Sequence, residues 1–443
     1  MNRTRILIGG LAVLGVGGAL LFGGLFGSPG ANPARAAAPV SAADSAALTH
    51  LLVGLAGNNT QAYIATLERR LAARPHDHDA LLLVGLAYQQ RARETGDPRF
   101  FTLSDRALHE ARAFPADEPL AETGLASLAV SRHRFASAVP LARTALHADP
   151  ENAVAYGALG DAFLNLGRYH EAFSAYDRMA ELSPSVASYG RVAHARELIG
   201  RPRGAAEALG LALTLRTPIR EHRAAALVQL GNIRFNIGNL SGALRAYEAA
   251  LVALPGYVHA QAGLAHTEAA EGDFRHAVPL FRRVVERLPL PQYAIWQGDT
   301  LHAAGFGAQA RRAYALVSFI DRVQAANGVR TELQTALFDL DHGRRLANAL
   351  ERAEAAHTRS PSIDADDVLG WALLRNGHCR EALPYSQASL RLGTRDALKF
   401  FHRGAIERCL GHGDQARAWI RRALALNPQF SLLWAPVARR WLS

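Results

Sequence analysis

YGALGDAF, residues 156–163, is followed at fixed spacings by Gly167, Ala172, Tyr176 and Pro184. Counted from the second glycine of that stretch, glycine follows seven positions on, alanine twelve on, a bulky residue sixteen on and proline twenty-four on. The same series recurs at Gly231, Gly238, Ala243, Tyr247 and Pro255; at Ala265, Gly272, Ala277, Phe281 and Pro289; and at Gly404, Gly411, Ala416, Ile420 and Pro428. A fixed period of this length predicts a solenoid built from one repeated supersecondary unit.

Each unit is predicted to be a pair of helices. Apolar residues recur at helical spacing, a glycine marks the turn and a proline ends the second helix. The small residues are expected where the two helices cross, and Gly167 is expected to supply a tight turn that a Cβ would strain. Most units begin 33 or 34 positions apart, and the predicted starts are Leu51, Gly85, Ala126, Gly160, Ala193, Gly231, Ala265, Gly298, Leu337, Gly370 and Gly404. The sequence therefore predicts an all-α chain of about eleven helix pairs without a sheet.

The pattern closely resembles the tetratricopeptide repeat, over about residues 44–430. The resemblance implies a right-handed superhelix, an α-solenoid whose first helices line a concave groove. In that family the groove usually binds a peptide, a helix or a partner protein. The predicted organisation is a signal peptide or transmembrane anchor over 1–26, a flexible Ala/Pro/Gly linker over 27–43, the repeats over 44–430 and a capping helix over 431–443.

Three units depart from the pattern. Six extra residues follow Gly85 within its unit, and four follow Ala193. The ninth unit has Leu337 in place of the small residue and Arg344 in place of the turn glycine. We expect a local irregularity there, preceded by a long helix over about 309–326.

Resemblance to family members also predicts which side chains face the groove. Members that grip a C-terminal carboxylate combine asparagines with lysines, and this sequence keeps Asn232 and Asn236 without a lysine beside them. Asparagine amides can hydrogen-bond the main chain of an extended peptide. Trp371 is either an anchor for an apolar side chain or a core residue. The predicted ligand-facing residues are Asp161, Asn165, His194, Glu197, Asn232, Asn236, His259, His266, Asp299, His302, Trp371 and Arg375.

No motif for catalysis or for a cofactor stands out. A nucleophile elbow, a phosphate-binding glycine loop and a paired-carboxylate segment are all absent from the sequence outside the repeat pattern. The densest histidine cluster, residues 76–79, lacks zinc-site spacing, and Asp77 and Asp79 are more simply helix caps. We therefore predict a non-enzymatic protein with no cofactor and no metal site.

The formal net charge of +10 comes from arginine, since Lys399 is the only lysine. The arginines are spread along the chain, often as pairs on predicted second helices, without interleaved aromatic residues. That distribution is typical of a solvated basic face rather than of a nucleic-acid site, so no nucleic-acid partner is predicted. The pairs are Arg69-Arg70, Arg282-Arg283, Arg311-Arg312 and Arg421-Arg422.

The two cysteines are predicted to lie at one edge of the stack. Cys379 begins the second helix of one unit and Cys409 ends the first helix of the next. In an exported protein they can form a disulfide if their Cα atoms come within about 7 Å. The alternative is two separate buried thiols.

The N-terminal segment has the pattern of an export signal or an anchor. Arg3 and Arg5 precede an uncharged run over 6–26, long enough to span a bilayer as a helix. Small residues around Ala36 suit signal-peptidase cleavage, and both a cleaved signal and a retained anchor fit the sequence. In either case the arginines stay in the cytoplasm and the repeats face the periplasmic or extracellular side.

These features favour a scaffold outside the cytoplasmic membrane that binds a protein or a peptide in its groove, and that contacts the membrane through the N-terminal segment if this is uncleaved. Two alternatives remain. One is an exported metal-handling protein that uses the groove histidines. The other is a substrate-recruiting accessory arm of an envelope enzyme complex.

Overall fold

The computed structural model describes residues 59–115, 118–215 and 219–443, and these ranges hold 22 α-helices and no β-strand. The predicted N-terminal signal or anchor, the linker and the first helix of the first unit lie outside them. The helices are α1 (Thr60–Ala73), α2 (His78–Thr95), α3 (Arg99–Ala111), α4 (Glu118–Ser131), α5 (Phe135–Ala148), α6 (Ala153–Asn165), α7 (Tyr169–Leu182), α8 (Val186–Leu198), α9 (Pro202–Thr214), α10 (Arg220–Asn236), α11 (Leu240–Ala253), α12 (Val258–Glu271), α13 (Phe274–Arg287), α14 (Pro291–Ala303), α15 (Gly307–Ala326), α16 (Glu332–Asp341), α17 (Leu346–Arg359), α18 (Ile363–Arg375), α19 (Cys379–Ala388), α20 (Ala397–Cys409), α21 (Gly413–Leu426) and α22 (Trp434–Leu442).

Consecutive helices pack as pairs, so the chain is an α-solenoid as the sequence predicts. The pairs run from α2 with α3 to α20 with α21, which makes ten complete pairs in the described ranges. Helix α1 is the second helix of the predicted first unit. Polar caps set several helix starts: the side chains of Asp77 and Asn152 accept the backbone N–H groups of Ala80 and Ala155. No helix in the described ranges is both long and apolar enough to cross a bilayer.

A glycine and a tyrosine form the crossing inside three of the pairs. A Cβ on Gly160 would lie 2.5 Å from the Tyr176 ring and 3.3 Å from the carbonyl oxygen of Ala172. The ring lies over the glycine, and its hydroxyl donates to the carboxylate of the next residue, Asp161, at 2.9 Å. The same arrangement recurs with Gly231, Asn232 and Tyr247, and with Gly298, Asp299 and Tyr314. The polar residue after the glycine thus bonds the second helix of its own unit.

The two insertions accompany two long first helices, α2 in the unit of Gly85 and α10 in the unit of Gly231. Helix α2 extends to Thr95 at its C-terminal end, and α10 begins four residues earlier than the regular pattern. The two extensions meet where the amide of Gln90 donates to Glu221 at 3.0 Å. In the ninth unit, left-handed backbone at Gly343 and Arg345 makes the turn, on either side of the expected position at Arg344. The predicted long helix before it is α15, with 20 residues.

Successive turns of the superhelix touch each other. The turns inside four pairs of the N-terminal half meet connections that lie 192 to 198 residues further along the chain, which is about six repeats. Most of these bonds use a backbone group. They join Arg330 N–H to the Arg132 carbonyl, Ile363 N–H to the Tyr169 hydroxyl, the Thr394 hydroxyl to the Leu198 carbonyl, and the Asn427 amide to the Phe235 carbonyl.

The turn glycines of this half allow the close contact between turns. Gly167 has a φ of 72°, and a Cβ there would lie 2.4 Å from the carbonyl oxygen of Pro361. Gly272 has a φ of 87°, but a Cβ there would meet nothing within 4 Å. The sequence predicts the left-handed turn at Gly167, and the structure adds that this residue also faces the neighbouring superhelical turn.

The C-terminal end is closed by α22 and by a disulfide. The Trp434 and Trp441 rings of α22 stack on Phe401 of α20, with centroids 5.5 and 5.4 Å away. Cys379 and Cys409 form a disulfide between the last two pairs, with Cα atoms 6.0 Å apart. Aromatic packing and a covalent link therefore stabilise the last repeats, whose terminal apolar face would otherwise meet water.

Gly167→Ala and Gly272→Ala separate two reasons for glycine at a turn, namely the left-handed backbone and the close contact with the neighbouring superhelical turn. Gly272→Ala is expected to lower the free energy of unfolding by about 1–2 kcal/mol, because only the left-handed backbone is strained. Gly167→Ala should cost clearly more, since its Cβ also meets the Pro361 carbonyl. Denaturant unfolding of both variants measures the difference, and equal losses would contradict the contact between turns.

Candidate ligand cavity inside the superhelix

The stacked turns enclose a cavity of about 260 Å³. One wall comes from residues of α8, α10, α12, α14 and α16, which are the first helices of their pairs. The other wall comes from residues 394–399 and 427–434, which belong to the following superhelical turn. The concave groove expected from the sequence is therefore partly closed by the protein itself.

Five of the predicted ligand-facing residues line this cavity, and they are Glu197, Asn232, Asn236, His266 and Asp299. They come from four successive units. Each already makes a hydrogen bond or a ring contact within the protein, so none is a solvated side chain with only water as its partner. Contacts within the protein therefore fix the orientation of these five side chains, and the sequence did not predict those contacts.

The two asparagines each use one amide atom and leave the other for a ligand. The Asn232 carbonyl oxygen accepts from the Tyr247 hydroxyl at 2.8 Å, and its NH₂ group donates to no described residue. The Asn236 NH₂ group donates to Glu197 at 2.9 Å, and its oxygen accepts from no described residue. One helical turn of α10 therefore presents a donor and an acceptor to the same cavity.

An aromatic stack forms the next part of the wall. The His266 ring lies parallel to the Trp296 ring, with centroids 4.0 Å apart and an interplanar angle of 6°. Phe235 contacts the His266 ring at 4.5 Å. Burial lowers the pKa of His266 to about 3, so the ring is neutral at physiological pH. Trp296 is not among the residues predicted from the sequence to face a ligand, although Trp296 precedes the small residue Gly298 by two positions.

Acidic side chains lie deeper in the cavity. Asp299 accepts from the Tyr314 hydroxyl and contacts a ring nitrogen of His342, both at 2.8 Å. Burial lowers the pKa of His342, but the hydrogen bond and the charge of Asp299 outweigh that effect and raise it. Asp341 accepts the indole N–H groups of Trp371 and Trp434 at 3.0 Å, and burial raises its pKa.

The only lysine also lies in this wall. Lys399 is 2% exposed and donates to Asp364 at 2.6 Å. Burial lowers the pKa of Lys399, but the charges of Asp364, Asp367 and Asp396 outweigh it and raise the pKa. The sequence shows that this lysine is unique, but its position depends on the contact between superhelical turns.

Three predicted ligand-facing residues are buried structural groups instead. The Asp161 carboxylate binds the Arg191 guanidinium of the next unit, with N–O distances of 2.9 and 2.7 Å. His194 is buried with a nitrogen 3.9 Å from Glu197. Trp371 lies in the C-terminal core and stacks on His402 at 4.2 Å. The repeat packs these positions against the neighbouring unit, and none of the three lines the cavity.

The other four predicted residues lie outside the cavity as well. Asn165 donates to the carbonyl oxygen of Asp161 at 2.8 Å. A ring nitrogen of His259 bonds the Tyr293 hydroxyl at 2.6 Å. His302 is exposed on α14. Arg375 lies over the Trp371 and Trp434 rings at 5.5 Å.

The histidines do not converge on a metal centre in the part of the chain that the structure describes. No group of three or more His, Cys, Asp or Glu residues there has the geometry to hold an ion. In the 76–79 cluster, Asp77 caps α2 and pairs with Arg70. The four arginine pairs lie exposed on α1, α13, α15 and α21, which are second helices of their units as predicted.

Comparison with known proteins recognises the repeats. Residues 123–187 and 368–429 match the family model of the tetratricopeptide repeat. The peroxisomal targeting signal receptor of Kluyveromyces lactis is 31% identical over 127 residues, which is 28% of this chain and 22% of the receptor. The chain therefore spans about a fifth of the length of that curated relative.

Two solved structures are similar to part of the chain. PilW, a widely conserved type IV pilus biogenesis factor, is 22% identical with a TM-score of 0.38, over 49% of this chain and 98% of PilW. MamA is 24% identical with a TM-score of 0.29, over 37% of this chain and 93% of MamA.

The class of protein follows from the helix pairs and the family match together. The matched stretches fall within α4 to α7 and α18 to α21, together with the short segments that follow α7 and α21. The chain is an all-α solenoid that contains tetratricopeptide repeats.

The buried pair of Asp161 and Arg191 can be tested against an exposed pair of the same type. Asp161→Ala should lower the free energy of unfolding by about 3–5 kcal/mol, because Arg191 stays buried and loses its carboxylate. Asp414→Ala removes the exposed pair with Arg417 and should change it by less than about 1 kcal/mol. Denaturant titration of both variants gives the two values. A small loss for Asp161→Ala would mean that this side chain is not a structural group.

Proposed function

We propose that the chain is a non-enzymatic scaffold that holds a peptide, or an extended segment of a partner protein, in its interior cavity. The observation that carries this proposal is the asparagine pair of α10. Asn232 offers an amide donor and Asn236 offers an amide acceptor, one helical turn apart in one wall. A peptide main chain needs a donor and an acceptor at close spacing, and this recognition does not depend on its side chains.

The size of the cavity limits the segment that it holds. About 260 Å³ is slightly below the usual range of small-molecule sites, roughly 300–1,000 Å³. A side chain and a short stretch of extended main chain fit such a volume, whereas a folded domain does not. The scaffold therefore recognises a linear segment rather than a folded surface.

The proposed location is the outer side of the cytoplasmic membrane. Arg3 and Arg5 before the uncharged run over 6–26 support this orientation. The disulfide between Cys379 and Cys409 also supports it, because disulfides persist in oxidising compartments and are rare in the cytosol. The segment over 1–26 then serves either as a cleaved signal or as the anchor.

The contacts of the groove histidines weigh against a metal-handling protein. His266 is stacked between Phe235 and Trp296, His259 bonds Tyr293, and His302 is exposed away from the cavity. A substrate-recruiting arm of an envelope enzyme complex differs from the scaffold only in the identity of its partner. Affinity capture from membranes with the full chain as bait identifies that partner.

Asn232→Ala with Asn236→Ala is the direct test of the groove. The double variant should bind the captured partner segment about 1–3 kcal/mol more weakly, because the segment loses a donor and an acceptor. It should also lower the free energy of unfolding by about 0.5–1.5 kcal/mol per residue, since Tyr247 and Glu197 lose their bonds. Calorimetric titration and thermal unfolding measure the two effects.

Arg421→Ala with Arg422→Ala is the matched control. This pair lies exposed on α21, and its removal should leave binding unchanged at moderate salt because exposed charges are screened. Binding that depends on the arginines and ignores the asparagines would move the site to the outer face.

A reporter fused after Ser443 tests the proposed location. A phosphatase that is active only outside the cytoplasm should be active in this fusion, and a reporter active only in the cytoplasm should be silent. The size of the mature protein then separates cleavage near Ala36 from retention of the anchor. An active cytoplasmic reporter would contradict the outward orientation.

A further inference from the structure

The cavity is acidic although the chain is strongly basic. Five carboxylates and two basic side chains line it, which gives a formal charge of −3 before its two histidines are counted, against +10 for the whole chain. Burial lowers the pKa of His266, whereas Asp299 raises that of His342.

Two of the carboxylates are accounted for within the fold: Asp364 binds Lys399, and Asp396 caps α20. The other three are Glu197, Asp299 and Asp341, and none of them lies within salt-bridge distance of a lysine or an arginine in the described structure. Their basic neighbours include His194 for Glu197, His342 for Asp299 and the more distant Arg375 for Asp341.

A buried acceptor in the same wall also lacks a donor. Gln229 lies one helical turn before Asn232 and is 1% exposed. Its NH₂ group donates to the carbonyl of Gly190 at 2.9 Å, but its carbonyl oxygen has no hydrogen-bond partner. A buried acceptor without a donor costs about 1–3 kcal/mol, and a ligand N–H would remove that cost. The unused oxygen of Asn236 adds a second acceptor.

Aromatic faces accompany these acceptors. Trp296, Phe338 and Trp434 all line the cavity, and His266 beside Trp296 is neutral. The face of an aromatic ring attracts a cation within about 6 Å, most strongly for tryptophan. A guanidinium group is planar, stacks on such faces and carries five N–H donors, so it suits a cavity with surplus acceptors and flat walls.

We propose that the segment held in this cavity inserts an arginine side chain between the aromatic wall and the carboxylates of Glu197, Asp299 and Asp341. This inference rests on the proposed function and names the side chain that accompanies the main-chain contact. The asparagines of α10 hold the backbone of the segment, and the acidic end of the cavity selects its charge. The scaffold therefore prefers basic linear segments.

The experiment uses the immobilised full chain and a displayed library of random heptapeptides, selected for binding that is lost in the Asn232→Ala, Asn236→Ala variant. The selected peptides are expected to share one arginine. Exchanging it for citrulline keeps its shape and removes its charge, and should weaken binding by about tenfold or more. N-ethylguanidinium alone should bind much more weakly than the peptides.

Substitution of the cavity carboxylates should remove the preference for the arginine peptide over the citrulline peptide. Asp299→Asn and Glu197→Gln keep an acceptor for Tyr314 and for Asn236, so both should fold normally, as thermal unfolding checks. Each should weaken the arginine peptide by about tenfold and leave the citrulline peptide unchanged. Asp414→Asn, an exposed acid on α21, should affect neither peptide.

Contrary results distinguish this inference from the function on which it rests. Selected peptides that need the asparagines but tolerate citrulline would overturn the arginine site and leave the proposed function intact. A different result is that no peptide is selected while N-ethylguanidinium binds and this binding depends on Asp299. The guanidinium group in the cavity would then not come from a peptide, and the proposed function would be overturned as well. Absence of both kinds of binding would overturn both proposals.

Discussion

The contact between successive turns of the superhelix determines the shape of everything inside it. Hydrogen bonds at separations of 192 to 198 residues bring the turns of one half of the chain against the connections of the other half. Most of these bonds involve backbone atoms, and glycines such as Gly167 leave room for them. The geometry therefore depends on the regular rise of about six repeats and on the side chains of Tyr169, Thr394 and Asn427. A groove that would be open in an extended solenoid becomes a cavity with two walls.

The two walls differ in origin and in chemistry. First helices supply the asparagines of α10 and the stack of His266 on Trp296. The second wall supplies Lys399, already neutralised by Asp364 and its acidic neighbours. As a result carboxylates outnumber lysine and arginine side chains in the cavity of a protein whose outer helices carry exposed arginines. This separation of charge is the basis of the proposed preference for basic segments in the cavity.

Periodicity in the sequence was sufficient to predict the helix pairs, the turn glycines and the long helix α15, because each depends on neighbours within one unit. Five of the twelve residues that the family resemblance predicts to face a ligand line the cavity. Periodicity could not predict that Asp161 would be neutralised by Arg191 of the next unit, or that Lys399 would face the interior. Those outcomes depend on contacts between units, and the second on contacts six repeats away, which no local spacing encodes.

The contact between turns also changes how such a chain should unfold. In an open solenoid each repeat interacts only with its neighbours, so repeats can melt from the ends inward. Here Tyr169 of the fourth unit shares a hydrogen bond with Ile363 of the tenth, and Phe235 of the sixth shares one with Asn427 after the last. Loss of a terminal repeat therefore removes support from the middle of the chain. The repeats follow one another as a linear array in the sequence, but each also interacts with repeats that are distant in the sequence. The cooperativity of unfolding should therefore approach that of a globular domain.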